Sequence, residues 1–108
     1  MSETIIKTGY LEKRSKYLKN WKKRFIVLTK HSILSYVDMT QGSDCTMNLE
    51  LSECTNFEKI KDDSGLETTL SFVNDGKIYL LKGTDEKEVE DWYKLILENA
   101  NITNPSSE

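Results

Sequence analysis

Residues that commonly bind metals or form turns are scarce in this sequence. It has two cysteines, one histidine, one proline and five glycines in 108 residues. Cys45 and Cys54 lie nine positions apart with no second pair, which excludes the usual four-ligand zinc sites. We expect two reduced thiols, as in a cytosolic protein, and neither a metal nor another cofactor. A glycine-rich phosphate loop and a recognisable carboxylate pair are also missing, so we do not expect an enzyme.

Long apolar runs are missing as well. The longest strictly apolar stretches, such as residues 25–28, are far shorter than the ~20 residues of a membrane span. The first residues lack the apolar stretch of a secretory signal. A chain of this length has room for one domain, and its 37% apolar content suffices for a core without disulfide bonds. We expect a cytoplasmic domain over residues 5–101 and a polar tail over 102–108, cut from the N-terminus of a longer protein or forming a small stand-alone adaptor.

Acidic residues are nearly absent from the first 30 positions. These positions hold nine lysine and arginine residues against two acids, whereas the rest of the chain holds six basic residues against sixteen acids. The formal net charge of −3 hides this asymmetry. Seven of the basic residues fall between positions 13 and 24. A molecule with one basic end and an acidic body orients in the field of an anionic surface.

Short stretches of strand character with polar turns between them make up most of the chain. They predict seven strands, over residues 7–14, 20–29, 32–38, 46–52, 56–61, 69–74 and 77–82. The last two are joined by Asp75-Gly76, a strong hairpin signal because the turn needs positive φ at both positions. From Asp85 onward, apolar residues recur with helical spacing, and Asp85 with Glu88 resembles a capping box. The stripe consists of Val89, Trp92, Tyr93, Ile96, Leu97 and Ala100.

These elements predict a mainly β fold with one C-terminal α-helix. The seven strands would form a strongly bent antiparallel sheet or barrel, and the amphipathic helix would cover one open end. Trp92 and the rest of its stripe are expected to pack in the core rather than to bind a ligand.

Alternation along the predicted strands places three cations on core-facing sides. Lys13 shares a face with Leu11, the expected core residue of the first strand. Lys22 and Arg24 share a face with the apolar Ile26 of the second strand. Burying such cations without compensation would be costly, so this rim of the barrel must be open to water or filled by an anion.

In the third strand we expect Leu34 and Tyr36 to align in the same way, which would bring Tyr36 to the same rim. The geometry predicts a phosphate-sized socket with Arg24 as a source of forked hydrogen bonds and Tyr36 as a hydroxyl donor. Lys13 and Lys22 would act as point charges. The alternative is a solvated basic face, the usual role of such a run of charges.

The predicted loop between the first two strands carries Tyr17 and Leu18, flanked by Lys16 and Lys19. An exposed Tyr-Leu pair suits the headgroup layer of a membrane, where neighbouring lysines meet anionic lipids at about 1 kcal/mol each. The alternative is that Tyr17 or Leu18 folds back and plugs the end of the barrel.

Taken in order, these features resemble a pleckstrin homology (PH) domain over roughly residues 5–100. The segments that carry the resemblance are Gly9-Tyr10-Leu11-Glu12-Lys13, Asn20-Trp21-Lys22-Lys23-Arg24-Phe25-Ile26-Val27-Leu28, Leu34-Ser35-Tyr36 and Glu90-Asp91-Trp92. The sequence is similar to PH domains of the phosphoinositide-binding type, such as the N-terminal domain of protein kinase B. Members that bind 3-phosphorylated phosphoinositides carry a lysine at the end of the first strand, basic-x-Arg in the second and often a tyrosine in the third.

That pattern falls on Lys13, Lys22, Arg24 and Tyr36. The resemblance implies that Lys22, Arg24 and Tyr36 hold the 3-phosphate region and that Lys13 lies between phosphates.

Loop cations are implied to contact the 5-phosphate or neighbouring lipids; they are Arg14, Lys16 and Lys19. The sequence departs from some tight binders because residues 38–44 offer no basic side chain. A cation from the other side of the socket would have to be Lys77, beside the predicted hairpin.

The resemblance therefore implies a monomeric module that recruits its protein to the inner face of the plasma membrane. Its ligands would be PI(3,4,5)P3, PI(3,4)P2 or both, within anionic membranes. The alternative is a protein-interaction module on the same fold with weak, non-specific lipid binding. Nucleic acid is not expected as a partner, because the rest of the chain is acidic and lacks an exposed aromatic ladder.

Overall fold

A computed structural model describes residues 4–15 and 20–100 of the chain. Its strands are β1 (Ile5–Ser15), β2 (Lys22–Thr29), β3 (Ser32–Tyr36), β4 (Cys45–Glu50), β5 (Cys54–Ile60), β6 (Thr69–Asn74) and β7 (Lys77–Lys82). A short 3-10 helix (Leu51–Glu53) follows β4, and the α-helix α1 (Glu86–Asn99) follows β7. The predicted loop segment 16–19 and the predicted tail lie outside the described residues.

The seven strands form one antiparallel sheet in the order β4-β3-β2-β1-β7-β6-β5. Strand β1 is the longest and joins two halves of the sheet, since it pairs with β2 along residues 5–13 and with β7 along residues 12–15. The predicted fold class is therefore confirmed, with seven antiparallel strands followed by one helix. The bounds predicted for β6 and β7 match those observed, and the turn between them has positive φ at Asp75 (52°) and Gly76 (77°).

The core lies between the two halves of the sheet and α1. Its fully buried apolar side chains are Leu11, Ile26, Leu28, Ile33, Met47, Leu51, Cys54, Leu70, Phe72, Leu81, Val89, Trp92 and Ile96. The helix contributes the last three of these, and Tyr93 and Ala100 pack against the core, which confirms five of the six predicted stripe residues; Leu95 packs there and Leu97 does not. Trp92 is 1% exposed and lies in the core, as predicted, rather than in a cleft.

The first turn of α1 is capped in a way that partly matches the prediction. Asp85 accepts a hydrogen bond from the Glu88 backbone N–H at 2.8 Å, as a helix N-cap should. The Glu88 carboxylate does not return to Asp85 but accepts from the backbone N–H of Thr84 at 2.8 Å. The cap therefore fixes the chain between β7 and α1 and closes one end of the fold.

The faces of β3 are the reverse of those predicted. Ile33 lies opposite Leu28, and Ser35 lies opposite Ile26. Directly opposed residues share a face of the sheet, so Ile33 and Ser35 point to the core. Ser35 is 0% exposed, whereas Tyr36 is half-buried on the outer face. The expectation that Tyr36 lies on the core-facing side is therefore wrong.

Within residues 4–15 and 20–100, no helix is both long enough and apolar enough to cross a bilayer.

Candidate functional site

A cationic cleft of about 260 Å³ opens where β1 ends and where β2, β4 and β7 begin. It is lined by Lys13, Arg14, Asn20, Lys22, Arg24, Thr46, Lys77 and Tyr79. Five of these eight residues are lysine or arginine, and none of the described residues that line the cleft is acidic. This cationic cleft is the candidate site.

The β1–β2 pairing brings like charges together at the cleft. Lys13 and Lys22 are directly opposed across the two strands, and Arg24 lies opposite Leu11. Like charges in directly opposed positions destabilise a sheet. The pairing of Lys13 with Lys22 therefore raises the positive potential of the cleft, at the cost of the stability that a carboxylate in either position would provide.

Lys13 experiences this repulsion most clearly. Burial lowers the pKa of the Lys13 ammonium from its ordinary value, and the charges of Arg24 and Lys22 lower it further. Cys45 acts in the opposite direction but does not reverse the shift. An anion in the cleft would favour the charged form of Lys13 and relieve the repulsion.

Aromatic contacts position the second arginine. The Arg14 guanidinium lies 5.0 Å from the centre of the Trp21 ring, and the Lys82 ammonium lies 5.5 Å from the same ring. Cation–π contacts of this kind are worth about 0.5–1 kcal/mol at exposed sites. Trp21 therefore holds Arg14 at the edge of the cationic cleft. Arg24 donates one hydrogen bond to the Lys23 carbonyl at 3.0 Å, which fixes its orientation on β2.

Tyr36 does not reach the cationic cleft. It is paired with Phe25 and borders a different hollow, on the outer face of the sheet beside residues 38–43. The tyrosine that lines the cleft is Tyr79 on β7, whose ring stacks on Phe72 with 5.5 Å between centroids. The tyrosine of the cleft lining therefore comes from β7 and not, as predicted, from β3.

The structure brings together five of the predicted site residues, namely Lys13, Arg14, Lys22, Arg24 and Lys77. The predicted residues Lys16, Tyr17, Leu18 and Lys19 lie outside the described residues. Sequence reasoning missed Asn20, Thr46 and Tyr79. Only Tyr79 had a usable signal, because it alternates with Lys77 on the same strand and so shares its face.

The other hollows of the described residues have mixed or acidic linings. The hollow beside the C-terminal end of α1 combines Lys30 and His31 with Glu50 and Glu98. The hollow on the outer face of β1 combines Lys23 and Lys82 with Glu12. Compared with these two hollows, the cationic cleft has the larger uncompensated charge.

Comparisons with known proteins agree with this fold. The sequence model of the PH domain family matches residues 5–100. The chain is similar to the phosphatidylinositol 4,5-bisphosphate-binding protein SLM1 of Saccharomyces cerevisiae, with 39% identity over 61 residues, which is 55% of this chain and 9% of that protein. It is also similar to switch-associated protein 70 of Bos taurus, with 27% identity over 92 residues, or 85% of this chain and 16% of that protein. The chain thus spans less than a fifth of the length of either relative.

Solved structures show the same arrangement of elements. The Slm1 PH domain in complex with phosphoserine superimposes with a TM-score of 0.78 and 27% identity, covering 90% of this chain and 96% of that one. The same domain in complex with inositol 4-phosphate gives a TM-score of 0.73 at 25% identity, covering 89% and 96%. The C-terminal PH domain of human pleckstrin gives 0.74 at 26% identity, covering 98% and 88%. With the family match over nearly the whole chain, these likenesses lead to one conclusion: the chain belongs to the PH domain family.

Proposed function

We propose that this domain binds the headgroups of phosphoinositides in its cationic cleft and prefers those phosphorylated at the 3-position. The observation that carries the proposal is the set of five lysine and arginine side chains that line one cleft with no acid among its described lining residues. Such a cleft is costly to the free domain, and an anionic ligand offsets that cost.

Each lining group suits a phosphorylated ring. Arg24 offers forked N–H donors that match the oxygens of a phosphate, and Lys13 and Lys22 provide compact charges beside it. Lys77 approaches from the β6–β7 hairpin, across the cleft from β2. Phosphates on two sides of an inositol ring would therefore each contact a cation.

The relatives support this ligand class. One relative is described as binding phosphatidylinositol 4,5-bisphosphate, and its PH domain has been solved with inositol 4-phosphate. The preference for 3-phosphorylated lipids rests on the motif formed by Lys13, Lys22 and Arg24. Since Tyr36 lies on the outer face, Tyr79 takes its place as the hydroxyl donor in this proposal.

We further propose that the domain acts as a monomer, recruiting the protein that carries it from the cytoplasm to the inner face of the plasma membrane. PH domains are in general binding modules rather than enzymes. In this proposal recruitment needs no conformational change, because the fold itself brings the cations to one cleft.

Vesicle binding tests the proposal. Vesicles carrying each phosphoinositide in turn, at physiological salt, should retain the domain most strongly when the lipid is 3-phosphorylated. Arg24→Ala should reduce that binding about 100-fold, because a forked charge-assisted contact is worth about 3 kcal/mol. Lys22→Ala should reduce it about 10-fold.

Lys87→Ala is the matched control, since it removes one positive charge from an exposed site on α1. It should leave vesicle binding unchanged. Arg24→Ala and Lys22→Ala should unfold at temperatures no lower than that of the wild type, because each removes a like charge beside Lys13. Binding that follows total vesicle charge, fades with salt and responds equally to all three variants would contradict a headgroup socket. That result would favour a protein-interaction module with non-specific lipid attraction.

A further inference from the structure

Thr46 enters the cationic cleft because β4 contains a bulge. Ser35 is paired with Met47 and Tyr36 with Cys45, so Thr46 is an extra residue with no directly opposed partner on β3. A bulge breaks the alternation of side chains and redirects the residue it adds. Thr46 accordingly lines the cleft beside the cations.

The hydrogen bonds of Thr46 determine what it can offer a ligand. Its hydroxyl lies 2.8 Å from the Ser35 hydroxyl and donates to the Ser35 carbonyl at 3.2 Å. Each hydroxyl has a single proton. Either hydroxyl can donate in their mutual contact, and the burial of Ser35, which is 0% exposed, favours donation from Ser35 to the Thr46 oxygen, because that arrangement satisfies the buried proton. Both protons are then used within the pair, and the Thr46 oxygen faces the cleft with a lone pair.

A lone pair selects against phosphate on this side of the cleft. It can accept a hydrogen bond from a ring hydroxyl, but it repels a phosphate oxygen. The cations of the cleft come from β1, β2 and β7 and not from β4. The chain between β3 and β4 adds Asp38 and Asp44 and no basic residue. Phosphates are thus favoured toward β1, β2 and β7, and a free hydroxyl is favoured toward β4.

We propose that Thr46 is a specificity-determining residue that accepts a hydrogen bond from an unphosphorylated ring hydroxyl. The domain would thereby gain no affinity from a third ring phosphate and would bind bisphosphorylated inositol lipids at least as tightly as the trisphosphorylated lipid. This inference rests on the proposed function. It adds that the side of the headgroup that faces β4 carries a hydroxyl and not a phosphate.

The test is calorimetry with soluble inositol phosphates that reproduce the headgroups of PI(3,4)P2, PI(4,5)P2 and PI(3,4,5)P3. The wild type should bind the PI(3,4,5)P3 headgroup no more tightly than it binds the preferred one of the two bisphosphorylated headgroups. Thr46→Val should weaken binding of that preferred headgroup about five-fold, the usual worth of one hydrogen bond, and Thr46→Ser should restore it. Thr46→Lys should strengthen binding of the PI(3,4,5)P3 headgroup about ten-fold relative to the other two.

The outcomes separate this inference from the proposed function. A wild type that prefers the PI(3,4,5)P3 headgroup ten-fold or more overturns the role of Thr46 while leaving a phosphoinositide site. Equal effects of Thr46→Lys on all three ligands overturn it as well. Failure of the wild type to bind any of the three overturns both proposals. Thr46→Val and Thr46→Lys both leave the buried Ser35 hydroxyl without its acceptor, whereas Thr46→Ser keeps it. If neither of the first two variants folds, the ranking of the three ligands by the wild type and by Thr46→Ser decides the matter.

Discussion

Lys13 and Lys59 project from strands of the same sheet, yet their pKa values move in opposite directions. Burial and the charges of Arg24 and Lys22 lower the pKa of Lys13. A hydrogen bond to the Glu90 carboxylate raises the pKa of Lys59. Lys59 also lies 3.5 Å from the Glu67 carboxylate and 5.2 Å from the centre of the Tyr93 ring.

The two lysines differ in the groups that surround their charge. The contacts of Lys59 connect β5 to α1 and satisfy its charge within the fold. The groups that shift the pKa of Lys13 include no carboxylate: Arg24 has the largest effect among the neighbours, Lys22 acts in the same direction and Cys45 opposes them. In the proposed function the basic first third of the chain supplies cations for the ligand, whereas Glu67 and Glu90 of the acidic remainder pair with Lys59.

A carboxylate placed in the cationic cleft should pair with the cations there, as Glu67 and Glu90 pair with Lys59. In Lys13→Glu, the new carboxylate would lie opposite Lys22 and close to Arg24. We expect headgroup affinity to fall at least about 100-fold, since a charge-assisted contact is replaced by repulsion. The free energy of unfolding should rise by about 1 kcal/mol, because the like-charge contacts become attractive.

Calorimetry with a soluble headgroup and thermal unfolding measure the two effects of this substitution. Lys13→Gln is the matched control: it removes the charge without adding a partner, so affinity should fall less and stability should change less. A Lys13→Glu variant that keeps its affinity within three-fold would show that the headgroup binds elsewhere.

The elements fixed by local signals were predictable from the sequence. The helical stripe around Trp92 and the Asp75-Gly76 turn each depend on residues close together in the chain, and both are present. The core positions Ile26 and Leu28 followed from alternation in a long apolar strand. Because Lys22 and Arg24 lie on that strand, their convergence with Lys13 could be predicted as well.

The errors occurred where the pairing of strands overrides alternation in one strand. A large aromatic residue beside a serine suggests that the aromatic faces the core, yet Ser35 is buried and Tyr36 is not. Ser35 can be buried because Thr46 satisfies its hydroxyl. That partner comes from a bulge in β4, and the sequence of β4 gives no signal for it. The β3–β4 side of the cleft was therefore beyond sequence reasoning.

Substituting Lys59 tests the other side of the comparison, because it should change stability and leave ligand binding unchanged. Lys59→Met replaces the ammonium, which contacts Glu90, Glu67 and the face of the Tyr93 ring, with an uncharged side chain of similar length. We expect the free energy of unfolding to fall by about 1 kcal/mol, the upper end for a partly exposed ion pair. Headgroup affinity should not change, because none of these groups lines the cationic cleft. Denaturant unfolding measures the first effect and calorimetry the second; an affinity loss above two-fold would contradict the separation of the two regions.

The smallest effect we expect is a dependence of binding on alkaline pH. A bound phosphate favours the charged ammonium of Lys13, so binding raises the pKa of this group. At a pH above the lowered pKa of the free domain, binding is therefore accompanied by uptake of a proton on Lys13. Headgroup affinity should therefore fall as pH rises through that lowered pKa, before ordinary lysines lose their protons. We expect a loss of about three-fold at alkaline pH below the ordinary lysine value of about 10.4.

Folding depends on the same group with the opposite sign. In the unfolded chain Lys13 keeps its proton to higher pH, so the repulsion that destabilises the free domain is present below the lowered pKa and disappears as pH rises toward the ordinary lysine value. Lys13→Arg is the control for both effects, because arginine stays charged throughout this range. Its affinity should be flat where that of the wild type falls. If Lys13→Arg and the wild type lose affinity in parallel, the pH dependence belongs to another group, and the contrast between Lys13 and Lys59 does not extend to ligand binding.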